Sequence, residues 1–165
     1  MQTKQKGFVA GIVLALLVAA GVSVWASGDT PIVILDGSLT MQSAVPWKEF
    51  TGGGDQRSHP NAQGSITNVV VTIGGKNQTI ACNGQRCAVD LTYAGTDIQV
   101  ASGPDGKGLT VSPFSAFDKG ATDDVLVHRN QKAKITHVTV SMSGVKLIDQ
   151  AAPSGGGTKV VISYQ

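Results

Sequence analysis

Alternation of apolar and polar residues with a period of two recurs from Pro31 to the end of the chain, and no convincing window shows the 3.6-residue period of an amphipathic helix. The clearest case is Ile66–Ile73, in which Val69, Val71 and Ile73 share one face of a strand. Glycine, proline, asparagine and aspartate bound such segments because these residues favour turns. With 21 glycines and a charged fraction of only 15%, the composition also favours strands and turns. The chain is therefore predicted to be all-β.

The alternating segments predict eight or nine short strands and at least two hairpins. One hairpin joins 79–82 to 87–93 across the turn 83–86, and the other joins 97–102 to 109–113 across the turn 103–106. The segments 66–73 and 135–142 have the same apolar pattern, which predicts inner strands in equivalent positions. Strands at this spacing predict an immunoglobulin-like antiparallel β-sandwich of about 8 strands more than a barrel. Ten segments are candidates for these eight or nine strands, namely 32–35, 38–44, 66–73, 79–82, 87–93, 97–102, 109–113, 125–128, 135–142 and 159–164.

The first 27 residues predict a signal peptide or an N-terminal transmembrane anchor, followed by an exported domain over 28–165. Residues 8–25 carry no charge, and as a helix they would be about 27 Å long, close to the ~30 Å hydrocarbon core of a membrane. Val24 and Ala26 satisfy the small-residue rule for cleavage after Ala26, so both fates stay open. Either fate predicts an extracytoplasmic location, in the periplasm, at the outer face of the cytoplasmic membrane, or secreted. If it is uncleaved, the leader holds the chain in the membrane through residues 8–25.

The net charge of +2 comes from the leader. Without Lys4 and Lys6, the 13 basic residues fall to 11 and equal the 11 acidic ones. The remaining basic residues are scattered singly, whereas nucleic-acid binding normally needs a clustered basic face. Nucleic acid is therefore excluded as a predicted partner.

The only two cysteines, Cys82 and Cys87, flank the predicted turn 83–86 and are expected to form a disulfide in an exported chain. A redox site normally uses two intervening residues rather than four, and no neighbouring cysteine or histidine completes a zinc shell. No cofactor or metal is predicted. The small loop implies that the bond stabilises a hairpin tip more than the whole domain.

The least regular stretch, residues 47–65, is predicted to be a long loop with a possible surface site, formed by Trp47, Phe50, Asp55, Arg57 and His59. Exposed aromatic residues there would favour docking of a protein or stacking of a sugar. Covering the end of a sandwich core is the alternative role for these aromatic residues. His59 is the best candidate for a catalytic histidine, although the chain has no G-x-S-x-G nucleophile motif and a solvated loop histidine is the simpler interpretation.

The sequence contains no convergent catalytic or metal-binding motif, so we expect a non-enzymatic protein that presents a surface to a protein partner in the cell envelope. A carbohydrate-binding or adhesive module that uses the loop aromatics is one alternative. A hydrolase built around His59 is the other.

Overall fold

Within the described residues, the alternating segments form strands that pair antiparallel in two seven-stranded sheets. The computed structural model describes residues 32–35, 38–42, 47–49, 56–58, 64–93, 95–119, 125–128 and 134–164. The first sheet contains β1 (Ile32–Leu35), β2 (Ser38–Gln42), β5 (Ile66–Ile73), β6 (Lys76–Ala81), β10 (Phe117–Lys119), β11 (Val125–His128) and β14 (Lys159–Tyr164). The second contains β3 (Lys48–Glu49), β4 (Arg57–Ser58), β7 (Cys87–Tyr93), β8 (Thr96–Ala101), β9 (Thr110–Ser112), β12 (Ile135–Met142) and β13 (Val145–Ala151).

The order of strands brings distant parts of the chain together. In the first sheet it is β10-β11-β2-β1-β14-β5-β6, and in the second it is β13-β12-β7-β8-β9-β4-β3. The last strand, β14, lies between β1 and β5, so it ties the first described strand into the sheet. Strands β6 and β13 are each the edge of a sheet, and the side chains of Gln78 and Gln150 join these two edges by a hydrogen bond of 3.1 Å.

Both sheets contribute to one buried apolar cluster. Alternation along β5 buries Val69 and Val71, and alternation along β7 buries Val89, Leu91 and Tyr93. These are faces that the sequence pattern predicts. The ring of Tyr93 on β7 meets the ring of His128 on β11 edge to face, with centroids 4.4 Å apart, so this contact joins the second sheet to the first.

The all-β prediction is confirmed, and so is the hairpin that joins β8 to β9 across residues 103–106. The prediction of a hairpin between 79–82 and 87–93 is wrong. Strand β6 pairs with β5, whereas β7 pairs with β8 and β12 in the other sheet. The segment between β6 and β7 is therefore a corner at which the chain crosses from one sheet to the other.

Three further segments differ from the prediction. The short strand β10 has no counterpart among the predicted strands. Strand β13 has no counterpart among the predicted strands because its sequence changes phase: a β-bulge in the β12–β13 ladder, at Val140/Ser141, leaves Leu147 without an opposite residue. The predicted long loop 47–65 contains the short strands β3 and β4, which extend the second sheet beyond β9.

The N-terminal segment 1–27 lies outside the described residues. Within the described residues, no helix is long and apolar enough to cross a membrane.

Candidate functional site

The disulfide prediction is confirmed. Cys82 and Cys87 are bonded, with Cα atoms 6.0 Å apart, and both residues are fully buried. The bond spans the corner between β6 and β7 and so joins the two sheets, not the two sides of a hairpin. The backbone N–H of Cys82 donates to the carbonyl of Thr67 at 3.0 Å, and the Oγ of Ser102 accepts a bond from the N–H of Cys87 at 2.9 Å. The corner therefore has hydrogen bonds of its own beside the disulfide.

Two of the five residues of the predicted surface site are buried. Trp47 is only 2% exposed and Arg57 is 4% exposed. Pairing of Arg57 with the buried Val111 in β9 places it on the inner side of the sheet, where its guanidinium lies 4.5 Å from the centre of the Phe114 ring. The expectation that these two side chains form an exposed patch is therefore wrong. Both side chains are buried, and Trp47 belongs to the apolar core cluster. Phe50, Asp55 and His59 lie outside the described residues.

The two other histidines have different surroundings. His128 is buried between the rings of Tyr93 and Phe117, at centroid distances of 4.4 and 5.9 Å. The Nε2 of His137, on the exposed face of β12, lies 3.3 Å from Oδ1 of Asp149 on β13. This pair lies on an open sheet face. In the described part of the chain, no group of three histidine, cysteine, aspartate or glutamate residues could hold a metal ion.

The exposed apolar surface lies on edge strand β13. Among the described residues, the exposed large apolar side chains are Val145, at 61%, and Leu147, at 43%. Ile148 on the same strand is buried, so the strand is fixed to the core while its two apolar neighbours face solvent. The bulge explains this arrangement, because an extra residue at Leu147 shifts the alternation by one position and exposes a side chain that the sequence pattern would bury.

A polar cluster on β13 lies beside these apolar residues. The Nζ of Lys146 lies 2.9 Å from Oδ2 of Asp149, and the hydroxyl of Thr139 donates to Oδ1 at 3.1 Å. The hydrogen bond from Lys146, followed by the one from Thr139, holds the pKa of Asp149 below its ordinary value of 3.8. The charges of Lys146 and Asp149 thus neutralise each other locally, and the exposed surface of the strand has no net charge.

The sequence gives one signal that would have located this strand. Ser143 and Gly144, both at positive φ of 49° and 81°, form a two-residue hairpin turn directly after the clearest strand of the second half. Comparison of the chain with protein-family models, with curated proteins and with solved structures finds no match.

Proposed function

We propose that this chain is an extracytoplasmic, non-enzymatic protein that binds an extended segment of a protein partner along edge strand β13. One observation carries the proposal: β13 is an edge strand on which Val145 and Leu147 are exposed. An edge strand offers backbone N–H and C=O groups on its open side, and an added strand from another chain satisfies them. Exposed apolar side chains next to that edge supply the contact area that backbone pairing alone lacks.

The chemistry of the strand limits the partner to an uncharged apolar segment. Lys146 and Asp149 neutralise each other, so the edge offers no net charge for a charged segment to match. A second copy of the chain fits less well, because stable dimers bury about 1,200 Å² or more and two side chains provide far less. The bulge at Leu147 also interrupts the ladder, so a partner would pair with the regular half of the strand from Ile148 to Ala151 and contact Leu147 through side chains.

The proposal also includes the architecture of the domain, an immunoglobulin-like β-sandwich, and its export from the cytoplasm. Two antiparallel sheets that share one apolar cluster support an immunoglobulin-like β-sandwich. The uncharged segment 8–25 of the leader and the bonded cysteine pair support export, because disulfides persist in oxidising compartments.

Photo-crosslinking tests the docking edge in the full chain. A photoreactive amino acid at position 147 is expected to crosslink a protein that the same group at the exposed Lys48, on β3 at the opposite edge of the second sheet, does not crosslink. The crosslinked protein, once purified, should bind the double variant Val145→Ser with Leu147→Ser at least tenfold more weakly, because the apolar contacts are lost. Equal crosslinking from both positions, or an unchanged affinity, would overturn the proposal.

The location has its own test. Alkaline phosphatase fused after Gln165 folds only where its disulfides form, so we expect an active fusion in intact cells. A fusion that is produced at full length but stays inactive in intact cells would exclude an extracytoplasmic protein.

A further inference from the structure

A trough crosses the outer face of the second sheet, far in sequence from β13. Two adjoining cavities of about 410 and 450 Å³ form it, and Gln56 and Gln99 line both. Each volume falls within the range of about 300 to 1,000 Å³ that small-ligand sites occupy. Along β8, Asp97, Gln99 and Ala101 line the trough and alternate with the buried Ile98 and Val100, so the trough lies on the face opposite the core. Ile98 also borders the first cavity.

The two ends of the trough have opposite charge. Asp90 and Asp97 line the first cavity, and none of the described residues in its wall is basic. Arg86 and Lys107 line the second, together with one carboxylate, that of Asp105. Because Asp105 accepts a hydrogen bond from the backbone N–H of Lys107 at 3.0 Å, it is fixed within the turn 103–107.

The middle of the trough carries carboxamides. The Nε2 of Gln99 donates to Oδ1 of Asp90 at 2.6 Å, which fixes the position of the amide group between the two ends. A carboxamide has two N–H donors and a carbonyl acceptor, so this one bond leaves capacity to bind a ligand. Gln56 also lines both cavities, and its carboxamide has the same N–H donors and carbonyl acceptor.

The spacing between two residues that line the trough, Asp97 on β8 and Ser102 directly after this strand, indicates the length of the ligand. Asp97 lines the acidic cavity and Ser102 lines the basic one, five residues further along the chain. At about 3.4 Å per residue this separation is about 17 Å, the length of an extended peptide of about five residues.

We propose that the trough binds a short peptide of about five residues in extended form, with its N-terminal ammonium at Asp90 and Asp97 and its C-terminal carboxylate at Arg86 and Lys107. The charges at the two ends match those of free peptide termini, and the central carboxamides match peptide N–H and C=O groups. An oligosaccharide fits less well, because none of the described residues that line the two cavities is aromatic, so none offers a ring on which a sugar can stack. The site is independent of the docking edge on β13.

Calorimetric titration of the full chain with penta-alanine at low ionic strength tests this assignment. The peptide with both termini free should bind, and N-acetylation or C-amidation should each weaken binding at least threefold. In the variant Asp90→Asn with Asp97→Asn, acetylation should have no further effect while amidation still does. In the variant Arg86→Gln with Lys107→Gln, amidation should have no further effect, while acetylation should still weaken binding.

A charge-matched control, Lys76→Gln with Lys159→Gln, alters exposed residues of the first sheet and should bind penta-alanine as the parent chain does. Circular dichroism and melting temperature would establish that every variant is folded. The variant Val145→Ser with Leu147→Ser should also bind normally, which separates this site from the proposed function. The proposal is overturned if penta-alanine does not bind, if blocking its termini has the same effect in every variant, or if a neutral tetrasaccharide binds in its place.

Discussion

Asp149 is an exposed carboxylate whose neighbours favour its charged form. The hydrogen bond from Lys146 lowers its pKa below 3.8 first, the bond from Thr139 second, and the charges of Lys146 and His137 add to this effect. Since the pKa is lower in the folded chain, the interaction stabilises the fold above the ordinary pKa and is lost as the pH falls through the folded value. We expect a carbon-13 NMR titration to give Asp149 a pKa below 3.8.

The variant Lys146→Met removes the largest of these causes, so the pKa of Asp149 should rise towards its ordinary value. Lys134→Met provides the control, since Lys134 hydrogen-bonds the carbonyl of Ser154 rather than Asp149. An Asp149 pKa that stays the same in the Lys146→Met variant would show that Lys146 does not hold this carboxylate.

The sequence pattern does not predict the burial or exposure of several single residues. An irregular stretch identifies a loop but not what the loop packs against, so the burial of Trp47 and Arg57 depends on a short pairing with β9 that no local pattern reveals. Val145 and Leu147 present the opposite case. Apolar residues are expected inside, and the bulge that exposes Leu147 becomes visible only once β13 is aligned with β12.

Turns explain why one predicted hairpin is correct and the other is wrong. The turn 103–106 closes on itself, with the N–H of Gly106 donating to the carbonyl of Gly103 at 3.0 Å. The segment 83–86 has similar turn residues, yet β6 is already paired with β5 through Gly74 and Gly75, at φ of 57° and 77°. Two adjacent glycines after a strand are the stronger hairpin signal, and they fix the partner of β6.

Gly106 lies where two of these turns touch. A Cβ at this position would collide with the carbonyl of Gly84, in the corner between β6 and β7. Gly144 has nearly the same φ, 81° against 80°, but has open space around its Cβ position. We expect Gly144→Ala to cost about 1 kcal/mol through backbone strain alone. Gly106→Ala should cost about 2 kcal/mol more because the backbone must also move.

Urea unfolding of both variants measures this difference. Because the two glycines share their backbone conformation, the difference isolates the contact between the two turns. Equal losses of stability would mean that the turns do not touch in solution.

At the scale of the whole chain, the similarity between 66–73 and 135–142 reflects equivalent places in two sheets. Strands β5 and β12 are each next to an edge, and each is followed by a two-residue turn and the edge strand itself. The two edges meet through Gln78 and Gln150. The sequence predicts the equivalence because both strands need the same apolar face, but the meeting of the edges depends on how the sheets pack together.

The disulfide joins the two sheets at one point of this arrangement. Cys82 follows the last residue of β6 and Cys87 is the first residue of β7, so the bond restricts the corner where the chain changes sheets. The disulfide restricts only a small loop of the unfolded chain, so it contributes about 2 kcal/mol to the free energy of unfolding. The double variant Cys82→Ala with Cys87→Ala should lose at least this much of its free energy of unfolding, since it also loses buried sulfur.

The corner keeps hydrogen bonds from Cys82 to Thr67 and from Ser102 to Cys87, so the double variant should still fold and both sheets should unfold in one transition. Urea unfolding followed by fluorescence and by circular dichroism measures both features. A reductant should destabilise the parent chain and leave the variant unchanged, which separates the loss of the bond from the loss of side-chain packing. If the two probes gave separate transitions in the variant, the sheets would depend on this covalent link and the shared apolar cluster would not be sufficient to hold them together.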